Sequence, residues 1–139
     1  MMPREVRLHL IKLVYEYATL KSQPPGSLRD KRLAQLAVAL GQRRLRVDLP
    51  AALIYQGRRE AAVALTLDRD GLLLATAAKI PTGSTVIVRL GEPGQTVYAF
   101  PCEVEGFGRA GMSLRFFGVP LELHLGSRRT ALRPLGVSA

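Results

Sequence analysis

The chain carries two hydrophobic periods in succession. Up to Gly41, apolar residues recur every three or four positions; from Leu45 onward they alternate or form short runs bounded by glycine and proline. Residues 4–21 predict a helix in which Val6, Leu10, Leu13, Tyr17 and Leu20 share one stripe. Leu8, Ile11, Val14 and Ala18 widen that stripe. A helix apolar over so much of its circumference has surface for two neighbours. One is the rest of the chain, for which a plain core helix suffices. The other is a second subunit or a partner helix, which makes the stripe a candidate partner-binding surface and a possible route to a homo-oligomer. Gln23-Pro24-Pro25-Gly26 ends the helix, because proline removes a donor and restricts its predecessor. Ser27 is expected as an N-cap, with Asp30 in the capping-box position. A second helix over residues 28–40 follows, with Leu33, Leu36, Ala37 and Leu40 as its stripe and Gly41 as its stop. Together the two form a helical hairpin over residues 1–41.

The remainder reads as strands. Leu53-Ile54-Tyr55 leads through the turn signal Gln56-Gly57 into residues 61–67. Asp68-Arg69-Asp70-Gly71 is expected as a tight turn in which Asp-Gly supplies positive φ. Strands follow at residues 72–75, at 84–90 after Pro81-Thr82-Gly83, at 96–105 after Glu92-Pro93-Gly94, and at 112–117 after a glycine-rich stretch. About six short strands at regular spacing predict a small antiparallel barrel or sandwich over residues 42–118. In the tail, 119–139, Leu121, Leu123 and Leu125 suggest a short strand or cover, and Arg128–Leu132 a helical turn.

Charge adds the next constraint. The chain has 139 residues, 20 Lys and Arg against 11 Asp and Glu, and a formal net charge of +9. The excess is mainly arginine, which grips phosphate and carboxylate bidentately, so an acidic partner is implied. Three arginines, Arg43, Arg44 and Arg46, stand at the junction between the helical and β periods. A single cysteine, Cys102, excludes an intrachain disulfide and a multi-cysteine metal site. No apolar run reaches membrane-spanning length and no secretory pattern is visible, so the expected setting is cytoplasmic, without membrane insertion.

The residues for catalysis do not assemble. Nucleophilic chemistry needs a nucleophile with a base in reach. The histidines are His9, in the first helix, and His124, in the tail. There is no nucleophile elbow and no phosphate-cradling loop. Asp68 and Asp70 begin like a calcium loop but lack its later ligands. Glu103 and Glu105 share a strand face and read as solvated carboxylates. The chain is therefore expected not to be an enzyme, and no cofactor or metal is implied. Single-stranded RNA binding would need stacking aromatics on the barrel. Aromatics are only 6% with no tryptophan, and Tyr98 and Phe100 are the one pair on a shared strand face.

The order of features from Gln42 to Phe117 resembles the PilZ domain family. An Arg-Arg-x-x-Arg segment leads into a six-stranded β-barrel in that family. An Asp/Asn-x-Ser-x-x-Gly motif lies about twenty residues on, and a Gly-hydrophobic-x-Phe strand closes the barrel. Gln42-Arg43-Arg44-Leu45-Arg46-Val47 corresponds to the first motif. Thr66-Leu67-Asp68-Arg69-Asp70-Gly71 corresponds to the second. Pro81-Thr82-Gly83 resembles the family's Pro-x-Gly turn, and Gly111-Met112-Ser113-Leu114-Arg115-Phe116 its closing strand. The resemblance implies a receptor for the bacterial second messenger cyclic di-GMP, with Gln42, Arg43, Arg44, Arg46, Thr66, Asp68 and Gly71 as the ligand-binding set. Anchored on Arg46, the motif has Gln42 at the position of its first arginine; alternatively the segment is one residue short and all three arginines serve. Thr66 replaces Asp/Asn, and Asp68 replaces Ser. A carboxylate where a phosphodiester would approach costs on the order of one to several kcal/mol.

The expectation is thus a mainly β protein with α, a six-stranded antiparallel PilZ-like β-barrel preceded by a helical hairpin. The resemblance implies a degenerate, non-catalytic signalling adaptor in motility or type IV pilus control, working through a protein partner with weak or no cyclic di-GMP binding. The alternatives are a working cyclic di-GMP receptor using Arg43, Arg44 and Arg46 and, third, an RNA-binding barrel.

Overall fold

The computed structural model describes residues 2–91 and 96–124. Two helices come first, α1 (Arg4–Lys21) and α2 (Ser27–Leu40). Seven strands follow: β1 (Leu45–Tyr55), β2 (Arg58–Leu67), β3 (Gly71–Ala75), β4 (Thr85–Leu90), β5 (Thr96–Phe107), β6 (Met112–Phe116) and β7 (Leu121–His124). All strand pairings are antiparallel. The order β4-β1-β2-β3-β6-β5, with β4 also paired to β5, closes a six-stranded barrel. The seventh strand, β7, pairs with residues 96–99 of β5, while β6 pairs with residues 102–107 of the same strand. Expected elements at Glu92-Pro93-Gly94 and Arg128–Leu132 lie outside the described residues.

Alternation along the strands supplies the core. Val47, Leu49, Leu53, Leu67, Leu72, Leu74, Val88, Leu90, Phe100, Val104, Met112 and Leu114 are nearly inaccessible. Phe100 stacks on Phe116 with ring centroids 4.6 Å apart. Helix α1 adds Leu10, Ile11, Val14, Tyr17 and Ala18 to this core, and α2 adds Leu36 and Leu40. Hairpin and barrel therefore share one apolar interior. Residue 41 marks a change of period, not a gap in the packing.

Several local expectations change. Ser27 is the first helical residue; Gly26 is the N-cap, and no side chain caps the helix. Asp30 instead pairs with Arg29 at 2.7 Å, and that guanidinium donates back to the Leu20 carbonyl at 2.9 Å, tying the hairpin. The buried face of α1 is also rotated from the expected stripe. Leu10 and Tyr17 are buried with Ile11 and Val14, Leu13 and Leu20 are half-buried, and Val6 is 49% exposed. A barrel end is broader than a partner helix, so it takes neighbouring positions on both sides of the seam. Gln56 and Gly57 both have positive φ, the two-residue turn that matches strand twist. Gly71 has no such angle: it opens β3 in extended backbone, and the turn before it is held by a side chain.

Candidate functional site

Antiparallel pairing of β1 and β2 sets Leu45 opposite Leu67. The residues just beyond that pair, Arg44 and Asp68, are therefore brought together at one end of the barrel. Arg44 Nε lies 3.3 Å from Asp68 Oδ2. The other oxygen, Oδ1, accepts hydrogen bonds from the backbone amides of Asp70 at 2.7 Å and Gly71 at 2.9 Å. Asp68 thus both builds the turn and engages the arginine, and its side chain is only 15% exposed.

Arg46 is set by a bulge. The β1–β2 register shifts between Arg46 and Leu49, and Asp48 takes a φ of 46°. Aspartate tolerates that left-handed conformation better than most residues. The bulge turns Asp48 Oδ1 onto Arg46 Nε at 2.7 Å. From α1, Arg7 donates to the Val47 carbonyl at the same bulge, at 3.3 Å. Gln42 and Arg43 are exposed, and neither makes a hydrogen bond or ion pair among the described residues.

Thr66 pairs across from Arg46, but its hydroxyl is buried and without a partner among the described residues. The expected seven-residue ligand set is thus gathered only in part. Gln42, Arg44, Asp68 and Gly71 line one cleft of about 350 Å³. Arg43, Arg46 and Thr66 do not line it.

Four charged residues not included in the expected set complete the cleft: Arg69, Asp70, Glu105 and Arg115. Arg115 ion-pairs with Glu103, its cross-strand neighbour, and lies 4.0 Å from Glu105. The Glu103 hydrogen bond stabilises the Arg115 guanidinium in its charged form. Sequence alone placed Arg115 on the polar face of its strand and Glu103 and Glu105 on one face of theirs. It could not align them, because the register changes at a bulge between Val104 and Gly106. The cleft holds three arginines and three carboxylates, so its formal charge balances.

The helices dock beside this cleft. Arg69 donates to the Ala37 carbonyl near the end of α2 at 3.3 Å and lies over the Tyr17 ring. Lys21 reaches Asp70 at 3.4 Å. Ser22 Oγ donates to the Gly118 carbonyl at 2.6 Å. A larger cleft of about 740 Å³ runs between the end of α1 and residues Phe116–Val119, sharing Arg69, Asp70 and Arg115 with the first.

The other chemistry-bearing residues lie elsewhere. His9 is exposed on α1, and His124 is exposed on β7, 3.6 Å from Glu122. Tyr98 and Phe100 are buried in the core, where neither ring is open to stack on a base. Cys102 is fully buried, and burial pushes its thiol pKa well above the ordinary range, which makes it a poor nucleophile. No group of metal-ligating side chains forms among the described residues, and no described helix is long and apolar enough to cross a membrane. No family model matches this chain, and no curated protein matches it.

Proposed function

We propose that this chain is a non-catalytic bacterial signalling adaptor with a degenerate PilZ-like barrel, acting through protein contacts in motility or surface-behaviour control and binding cyclic di-GMP weakly or not at all. The pathway rests on the family resemblance. The loss of nucleotide affinity rests on one observation, the Arg44–Asp68 pair. A phosphodiester approaching Arg44 must displace a carboxylate whose other oxygen is fixed by two backbone amides. Asp70 and Glu105 add two more negative charges to the cleft. Each 1.4 kcal/mol lost is roughly a tenfold weaker complex. For the protein partner, the hairpin offers Val6, Leu28 and Val38 as exposed apolar positions, of which Leu28 and Val38 are each 84% exposed. Of the expected partner stripe, Val6 is the exposed member, at 49%; Leu10 and Tyr17 serve the core, and Leu13 and Leu20 flank it.

Isothermal titration of the full chain with cyclic di-GMP tests this reading. The wild type is expected to give no saturable heat at micromolar concentration. Asp68→Ser, which removes the competing carboxylate, is expected to bring binding into range. Saturable wild-type binding that disappears in Arg43→Ala and Arg46→Ala would overturn the proposal in favour of the receptor.

A further inference from the structure

The barrel end remote from the helices has a different electrical character. Three connections meet there: the β1–β2 turn, the β3–β4 loop and the β5–β6 hairpin. Two clefts tie them together. One, of about 460 Å³, joins Tyr55 and Arg58 to the loop at Ala78, Lys79 and Ile80. The other, of about 650 Å³, joins that same loop to Phe107 and Arg109. Arg58, Lys79 and Arg109 are all exposed, and none makes an ion pair among the described residues. Arg59, also exposed and unpaired, adjoins them on β2. By contrast Arg29, Arg32, Arg44 and Arg115, at or near the helical end, each hold a carboxylate. The one acidic residue lining either remote cleft is Glu60. Beside the cations, Phe107 is 52% exposed near the tip of its hairpin.

We infer that this end is a docking surface for an anionic lipid bilayer. Unmatched cations carried by three separate connections at one end of the molecule suit a planar partner with diffuse negative charge. A neighbouring exposed phenylalanine suits the apolar boundary beneath the headgroups. An extended peptide would join a strand edge. Residues 58–62 of β2 offer one here, since β3 pairs with β2 only from Val63 onward, but that edge carries Arg58 and Arg59 and neither Lys79 nor Arg109. Nucleic acid would need a run of stacking rings, and these clefts offer only Tyr55 and Phe107. Each cation near an anionic surface strengthens binding about fivefold. The attraction weakens as salt shortens the Debye length from about 10 Å at 0.1 M to about 3 Å at 1 M.

Co-sedimentation of the full chain with vesicles tests the inference. Binding is expected to phosphatidylcholine vesicles containing phosphatidylserine, not to phosphatidylcholine alone, and to fall with added salt. The double variant R58Q/K79Q is expected to lose about 25-fold in partitioning, the product of two such factors. F107S is expected to weaken binding with the salt dependence kept. K12Q/K31Q, which removes the same charge from the helices, is expected to lose far less. Equal losses in the two double variants would show diffuse charge attraction and overturn the assignment, as would failure to bind phosphatidylserine vesicles. Tighter retention by polyglutamate or by single-stranded RNA, lost in R58Q/K79Q, would assign the face to an acidic chain instead.

Discussion

A Cβ placed on Gly71 would lie 2.1 Å from the carbonyl oxygen of Leu114, inside the β3–β6 ladder. The obstacle is backbone and cannot swing aside. Gly71→Ala is therefore expected to destabilise the fold by about 2 kcal/mol or more, as overpacking of a tight core does. Denaturant unfolding of the variant checks this; an unchanged midpoint would contradict it. Sequence reading marked this glycine through its Asp-Gly turn signal. The true constraint is the approach of a strand forty-three residues away, which no local pattern records. Asp68 was legible in the same partial way. Its position was visible as an acidic replacement in a motif, whereas its grip on two amides and Arg44 depends on the folded turn. Tyr98 carries a second residue-scale consequence. Burial, reinforced by the neighbouring Glu122 carboxylate, pushes its phenol up to about 12. An unfolded tyrosine ionises near about 10. Its contribution to stability is thus full below about pH 10 and lost as pH rises toward about 12. Thermal melts across that range are expected to fall more steeply for wild type than for Tyr98→Phe. Parallel curves would remove the argument.

At the scale of elements, both helices and the strands of the barrel are legible from period alone. The reason is physical: a helix buries a stripe and a strand buries alternate residues, so the sequence must repeat accordingly. Element ends are less so. Gly26 caps α2 in place of Ser27, because the chain arrives in extended backbone and the cap position falls one residue earlier. Orientation is harder still. The face of α1 that turns inward is selected by the end of the barrel it covers, and that shape exists only once β1 to β6 have closed. Tyr15 illustrates this, since its ring meets Tyr98 of β5 with centroids 4.7 Å apart. The candidate cleft needed two registers at once, β1 against β2 and β5 against β6, and both pairs contain a shift. Its paired arginines were visible as residues, and their partners were not.

At the scale of the whole molecule, charge is matched unevenly among the described residues. The helical end holds Arg29, Arg32, Arg44, Arg46 and Arg115 in ion pairs and leaves Arg43 to solvent, whereas Arg58, Arg59, Lys79 and Arg109 at the remote end have no acidic partner. The cations of the described residues are therefore not a uniform coat. Closure of the ring is what separates the two ends, and β5 is the strand on which closure depends. It pairs with β4 along one edge, and with β7 and then β6 along the other. Between β7 and β6, the Phe117 amide donates to the Pro101 carbonyl at 3.0 Å; past the end of β4, the Val104 amide donates to the Ser84 carbonyl at 2.9 Å. In deuterated water, backbone amides in the middle of β5 are expected to be the last to exchange, since freeing them requires global unfolding. Those of β7, which among the described residues pairs with β5 alone and lies outside the ring, are expected to exchange sooner, by a detachment that leaves the barrel intact. Mass-resolved exchange would read the two rates directly, and simultaneous exchange of β5 and β7 would mean that the seventh strand is as integral to the ring as the six that form it.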